Sequence, residues 1–586
     1  MKILRKLTAA ALCLSLMLPL FACSAEQTEE TTDAAETTVA EETEITEETT
    51  LDPISSMLAE QNEETEETEV AEYVPSHMEK FNKVLPEYEI SGNTKTTYEI
   101  FVYSFADSNG DGIGDINGIT ENLDYIEEMG FDQIWLTPVT ASTTYHKYDV
   151  TDYCEIDPEF GTMDDYETFL EECHNRGITV LFDFVMNHTS SQHPWFTEAC
   201  EAIKEAGTIE DAYDICEYVG YYNFTYEAAS GYYQIEDTGV YYEARFWSEM
   251  PDLNLKSAAV RSEIEKIAKF WLGKGVDGFR MDATTYYETG NNNTNIEILS
   301  WFNEYVKSVN PNAYIVCEGW TDSVTYLYYL ESGVDSMFNF DFSGTSGRIA
   351  NVVTGKSTAE SFAQALVDYQ DAIDAHSTEA VDAPFYTNHD MARAAGYYAG
   401  DNAEAQIKLG YALNVLMSGC AFVYYGEEIA MKGAQKDENY RAPMQWSDSS
   451  EYMCDGPADM GTVKMLYGTL EEQQNDPYSI WNYCKQATLL RSKFPVIGYG
   501  DTEIVSEYTD DDVFAITRCS YGDEDMEDIL IIVNVSDETK TINIDENLCD
   551  YTVLAAVLET DENNVTKDGD TLTLPARDIA ILTAMQ

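Results

Sequence analysis

Ile178-Thr-Val-Leu-Phe-Asp-Phe-Val-Met-Asn-His188 is an apolar run of strand length that ends in polar groups. Asp164–Arg176 before it has helical spacing, and Gly177 can close that helix from the left-handed region. A helix leading into an all-apolar strand is half of a parallel β/α repeat, whose strands are buried on both faces. The pattern recurs on either side. Upstream, the strand candidates Tyr98–Phe105 and Phe131–Leu136 flank Ile116–Met129, where Ile119, Leu123, Ile126 and Met129 share a helical face. Downstream come Val276–Met281, Ala313–Cys317, Val334–Phe340, Val381–Thr387 and Ala421–Tyr425. Eight short apolar strands, most separated by helical stretches, predict an α/β fold of the (β/α)8 barrel type.

One connection is too long for a simple crossover. The Tyr-rich stretch between the third and fourth strands predicts a small inserted domain at 188–245, splitting the barrel into 86–187 and 246–499. Its tyrosines are either sugar-stacking platforms or the core of a small domain. From residue 500 to 586 the pattern changes to short β runs, which predict a C-terminal antiparallel β-sandwich.

Barrel enzymes draw their reactive groups from the C-terminal ends of the strands. Here those ends carry Asp183 to His188, Arg280-Met-Asp282, Glu318-Gly-Trp320 and Asn388-His389-Asp390. Any one of these carboxylates could be a cap or a structural ion pair. Four strand ends in the right order point to one polar mouth. Of seven His residues, His146, His188, His193 and His389 all follow candidate strands.

The chain has 586 residues, with 32 Lys and Arg against 108 Asp and Glu, for a formal charge of −76. That excess excludes nucleic acid, which needs clustered cations, and argues against docking on anionic lipid through side chains. Lys2, Arg5 and Lys6 precede an apolar run from Leu7 to Ala22, as in an export signal over 1–22. Leu20-Phe-Ala-Cys23 resembles a bacterial lipobox, which implies that Cys23 is acylated and that the protein is anchored outside the cell membrane by that lipid. Residues 23–85 are expected to form a solvated acidic stalk. Ser24–Tyr73 alone holds 18 Asp and Glu and no Lys or Arg. Of the 12 Cys, those from Cys154 onward form no CxxC pair and suggest no zinc site; their thiols or disulfides stay open.

The four strand-end segments resemble the signature regions of the α-amylase family of glycoside hydrolases. Ile116–Pro138, Tyr145–Tyr153, Phe422–Glu428 and Arg441-Ala-Pro-Met-Gln-Trp446 are also similar to family segments, so the likeness spans most of 95–586. The resemblance implies Asp282 as nucleophile, Glu318 as general acid and base, and Asp390 as a group that binds the distorted sugar. It also implies substrate contacts from His146, Tyr148, His188, Arg280 and His389.

Asp107-Ser-Asn109-Gly-Asp111-Gly-Ile113-Gly-Asp115 places oxygen donors at alternate positions, as in the opening of a calcium loop, although Gly118 stands where an EF-hand has Glu. It is similar to the calcium loop of the oligo-1,6-glucosidase branch. The implied ligands of a structural calcium are Asp107, Asn109, Asp111, the Ile113 carbonyl and Asp115. A second family calcium site would use Asn187, with partners left open.

Met250-Pro-Asp-Leu-Asn254 resembles the signature of a branch between oligo-1,6-glucosidases and neopullulanases, many of whose members are α-amylases. Ala283-Thr284 follows the nucleophile, where many α-1,6-specific relatives carry Val. The implied activity is retaining, endo-acting hydrolysis of α-1,4 bonds in starch and maltodextrins. Oligo-1,6-glucosidase, neopullulanase and 4-α-glucanotransferase activities remain open, as does a non-catalytic glucan-binding surface protein.

Overall fold

The computed structural model describes residues 94–449, 451–520, 526–545 and 550–584. The expected signal, Cys23 and the acidic stalk lie outside the described residues. Seven strands form one parallel sheet: β1 (Thr96–Ile100), β2 (Gln133–Leu136), β3 (Thr179–Phe184), β4 (Gly278–Met281), β5 (Tyr314–Cys317), β6 (Ser336–Met337) and β7 (Ala421–Tyr424). Their order is β6-β5-β4-β3-β2-β1-β7. The expected seventh run, 381–387, closes the (β/α)8 barrel through two parallel bridges, Phe338 to Ala383 and Phe385 to Phe422. Pro384 lies between them, has no N–H to donate and leaves the segment irregular.

Two other expectations shift. The first strand stops at Ile100, because Val102–Ser104 turns into a short 3-10 helix. The single helix expected over 116–129 is two, Ile116–Glu121 and Leu123–Glu128. At the break, the Asn122 amide donates to the Gly118 carbonyl, a local bond that competes with the helical ladder. Met163–Asn175 forms as expected, with a Thr162/Asp165 capping box at its start and Gly177 at φ 74° after its end.

Strand alternation sorts the barrel residues. Trp135, Leu181, Tyr314, Val316, Phe338, Phe385 and Phe422 fill the interior. Their sequence neighbours Phe182, Phe184 and Phe279 pack outward under the helices. The register places Glu99 beside Trp135 and Asp183 beside Arg280. Both pairs are on the inward face, so polar groups enter the barrel where the apolar layers end.

The insert after β3 holds a helix, Pro194–Ala206, and a three-stranded antiparallel sheet of Phe224–Thr225, Tyr232–Gln234 and Tyr241–Glu243. Tyr221, Tyr222 and Tyr242 are buried, and Phe196 packs on the last two. Much of the tyrosine content is therefore core. The C-terminal region is a five-stranded antiparallel sheet facing a three-stranded one. Val513, Leu530, Ile532, Leu572, Leu574 and Leu582 are buried in the cluster that joins them. All nine described cysteines are free thiols.

Candidate active site

Arg280, on β4, organises the barrel mouth. Its side chain is about 1% exposed. Nη1 lies 2.6 Å from Asp282 Oδ1 and 3.0 Å from Asp183 Oδ1, and Nη2 lies 3.2 Å from Glu318 Oε1. The guanidinium also sits over the rings of Trp135 and Tyr148, at 5.0 and 5.8 Å. Three carboxylates on one cation cannot all stay ionised at little cost. Burial raises Glu318 to about 7; Arg280 opposes the rise, and Asp282 and Asp390 add to it. Burial also raises Asp183 to about 7, again against Arg280. The geometry decides which of the two holds the shared proton. Glu318 has the longest contact with Arg280, whereas Asp183 accepts from Arg280, Trp135 Nε1 at 3.1 Å and the Tyr148 hydroxyl at 2.9 Å. Glu318 is the better placed of the two to hold the proton, and Asp183 remains an acceptor.

The chain after Asp282 is bent towards Glu318. Ala283 adopts φ 52°, a left-handed conformation that costs a non-glycine residue about 1–2 kcal/mol. The bend aims the Ala283 N–H at Glu318 Oε2, 3.0 Å away, and Thr284 Oγ1 donates to the Glu318 carbonyl.

Asp390 stands opposite. Burial would raise its carboxyl, but positive charge from His389 and Arg441 outweighs that and holds it at about 2. Burial lowers His389 itself to about 3, so at working pH Arg441, 2.7 Å from Asp390 Oδ1, is the standing cation. Arg441 also donates to the Tyr145 hydroxyl at 2.8 Å.

These groups surround a cleft of about 540 Å³. Asp282, Glu318, Asp390, His146, Tyr148 and His188 all line it, together with Arg441, Phe246, Tyr286 and Trp320. Burial, and then Arg441, lowers His146 to about 4, so it is a neutral hydrogen-bonding group. Arg280 and His389 do not line the cleft. Both are fully buried and reach it through Asp282, Glu318, Tyr148 and Asp390. Phe246 and Met250, just past the expected end of the insert at 245, line the cleft, while the tyrosines of 211–242 are absent from the lining. Phe246 and Tyr286 meet at 4.8 Å between centroids and are half exposed, as is Trp320, which gives flat apolar faces around the acid.

Asp183 stands among the strand-end polar groups without an assigned role, and no local pattern announces Glu99 or Phe246 as site residues. The one available signal for Glu99 is an acid inside an otherwise apolar strand.

In the loop after β1, Asp107 accepts from the N–H groups of Asn109, Gly110 and Gly112, at 3.0, 2.7 and 2.7 Å. Asp111 accepts from Ile113 N, and Asp115 accepts from Ser108 and Gly118. Asp455 packs against Gly112. Three carboxylates, an amide and a peptide carbonyl are the hard oxygen donors that suit calcium, and their negative charges together raise the Cys454 thiol beyond what burial does. Among the described residues no three His, Cys, Asp or Glu side chains already converge on one point. Asn187 donates to Asp252 at 3.1 Å.

A barrel mouth that sets Asp282 and Glu318 on one buried guanidinium, with a third acid, Asp390, lining the same cleft, fits a glycosidase. Residues 99–500 match the family described as alpha amylase, catalytic domain, and the chain belongs to that α-amylase family of glycoside hydrolases. It is 34% identical to Alpha-amylase 3 of Dictyoglomus thermophilum over 78% of this chain and 88% of that protein. It is 28% identical to an oligo-1,6-glucosidase of Parageobacillus thermoglucosidasius over 77% and 91% of the two chains. Among solved structures, Eubacterium rectale Amy13B superposes with a TM-score of 0.83 at 44% identity, over 88% of this chain and 100% of that one.

Proposed function

We propose that the protein is a retaining, endo-acting α-amylase that cleaves α-1,4 bonds of starch and maltodextrins. The observation that carries this reading is the shared grip of Arg280 on Asp282 and Glu318 at the base of the cleft. Glu318 gives its proton to the glycosidic oxygen as an Asp282 oxygen attacks the anomeric carbon, so the leaving sugar departs as an alcohol. Glu318, now a carboxylate, takes a proton from water. The water oxygen attacks the anomeric carbon and releases Asp282, so the starting configuration returns. Asp390 holds sugar hydroxyls, and Tyr148 forms part of the floor. The half-exposed Phe246, Tyr286 and Trp320 suit binding of several glucose units, as endo-action requires.

Ala283-Thr284 after the nucleophile and the amylase relatives favour α-1,4 bonds. The oligo-1,6-glucosidase relatives support the second reading. Product analysis on amylose, pullulan and isomaltose tests the choice: amylose gives mixed maltooligosaccharides under the first reading, and cleavage of isomaltose alone would overturn it.

Asp107, Asn109, Asp111, the Ile113 carbonyl and Asp115 would hold a structural calcium, which supplies fixed positive charge to an acidic loop and takes no part in bond cleavage. Cys23 would carry the lipid that keeps the enzyme on the outer face of a bacterial membrane. Its replacement by Ala is expected to release the enzyme from the membrane fraction.

A further inference from the structure

We propose that Glu99 is a positioning residue for the glycosidase reaction: it carries a proton in its bridge to His389 and thereby fixes His389 as the tautomer with hydrogen on Nε2. The inference rests on the glycosidase site and not on which linkage it prefers.

Glu99 lies on the inward face of β1, about 1% exposed. Its Oε1 is 2.6 Å from His389 Nδ1 and accepts from the His389 backbone N–H at 3.2 Å. The other ring nitrogen, Nε2, is 2.8 Å from the Tyr148 hydroxyl and 3.3 Å from Asp390 Oδ2. The Tyr148 hydroxyl is 2.9 Å from Asp183 Oδ2. A proton count along this chain leaves little freedom. The Tyr148 hydroxyl accepts from Arg280 Nη1 at 3.5 Å and has one proton for two possible acceptors, Asp183 and His389. Asp183 already accepts from Arg280 and Trp135, so the phenol proton goes to Asp183. His389 Nε2 must then carry hydrogen, donating to the Tyr148 oxygen and facing the Asp390 carboxylate. Burial lowers His389 to about 3 and keeps the ring neutral, so Nδ1 is bare, and its 2.6 Å contact with Glu99 needs a donor, which is the Glu99 carboxyl.

The surroundings agree. Burial raises Glu99 well above the usual carboxyl range, and Arg280 opposes that only in part. Burial lowers His389, with Asp390 pulling the other way and Arg441, Arg280 and His146 adding to the fall. Asp390, Asp183 and Tyr424 are the remaining ionisable neighbours of Glu99, and the first two add to its rise. A neutral pair is therefore the stable form of the bridge. Its effect reaches the substrate through two cleft-lining groups, since the Nε2–H orients both Asp390 and the Tyr148 hydroxyl.

Glu99→Gln tests this. The His389 backbone N–H holds the amide oxygen at the Oε1 position, which forces hydrogen onto Nδ1 and turns a bare Nε2 towards the Asp390 carboxylate. Kinetics on a maltooligosaccharide that the wild type cleaves are expected to show kcat reduced roughly ten- to hundredfold, the cost of one mispaired buried contact, with KM within about twofold and the melting temperature little changed. In a His389→Gln background the same change is expected to add less than about twofold, because Glu99 acts through His389. Nitrogen chemical shifts of labelled His389 in the wild type read the tautomer without any variant or turnover. Hydrogen on Nδ1, or on both nitrogens, overturns the proposal. So does wild-type kcat in Glu99→Gln, or an undiminished effect of that change in the His389→Gln background. Absence of maltooligosaccharide cleavage in the wild type would sink the functional reading above, and the chemical shifts would still decide this one.

Discussion

At the barrel mouth, Asp183, Asp282 and Glu318 share one buried arginine, and their side chains are at most about 10% exposed. In the loop Asp107–Asp115, three carboxylates turn onto backbone N–H groups, and among the described residues none pairs with Lys or Arg. Both regions concentrate acid in a chain of charge −76, but they handle it differently. The mouth carries its own cation. Burial and crowding around that cation raise Glu318 to about 7, which suits the acid role proposed for it. The loop satisfies its oxygens through peptide dipoles, and the calcium proposed for it would balance the remaining charge. The same side chains thus serve two proposed ends, catalysis where a fixed cation is shared and metal binding where none is built in.

The comparison breaks most sharply at Glu318. Glu318→Gln keeps the shape and removes the transferable proton, so kcat is expected to fall by about 10²–10⁴-fold while the melting temperature holds. Steady-state kinetics beside a thermal melt check this.

Arg280→Leu comes next. It leaves three buried carboxylates without their cation and should cost about 3–5 kcal/mol of stability, measured by denaturant unfolding, besides abolishing activity. A stable, active Arg280→Leu enzyme would mean that the mouth does not depend on its internal cation.

The pH dependence follows with a smaller effect. Glu318 must be protonated to act, so kcat/KM is expected to fall as pH rises through about 7. Burial also raises Glu427 and Asp578 to about 8 and Asp382 to about 7. A carboxyl raised on folding binds more protons in the native state. Its contribution is full below the unfolded value and is lost as pH rises through the folded one. The melting temperature should therefore be higher at pH 5 than at pH 8.5, as calorimetry at the two pH values would show.

The smallest effect belongs to the loop. Chelation is expected to lower the melting temperature by a few degrees and to leave the initial rate at low temperature unchanged, with calcium restoring the melt. Loss of the initial rate itself would erase the distinction between the two acidic regions.

Most of the barrel was legible because its strands are buried on both faces and its helices carry clear caps. The seventh strand was legible as an apolar run, but Pro384 denies it a regular ladder. The helix break at Asn122 turns on one side-chain bond that no periodicity shows. Asp282, Glu318 and Asp390 could be picked out because they end strands. Asp183 was visible at a strand end but its role was not, and Glu99 was not visible at all, because their roles arise from neighbours distant in sequence: Glu99 and His389 are 290 residues apart. Phe246 reaches the cleft from just past the expected end of the insert.

In the proposed reaction Asp282 bonds covalently to the sugar while Glu318 manages the proton. The direct measurement is peptide mass spectrometry of Glu318→Gln after incubation with an α-maltosyl fluoride, whose leaving group needs no acid. The account predicts a glycosyl ester on the peptide that contains Asp282. A label on another carboxylate, or turnover to the β-anomer with no label, would contradict it.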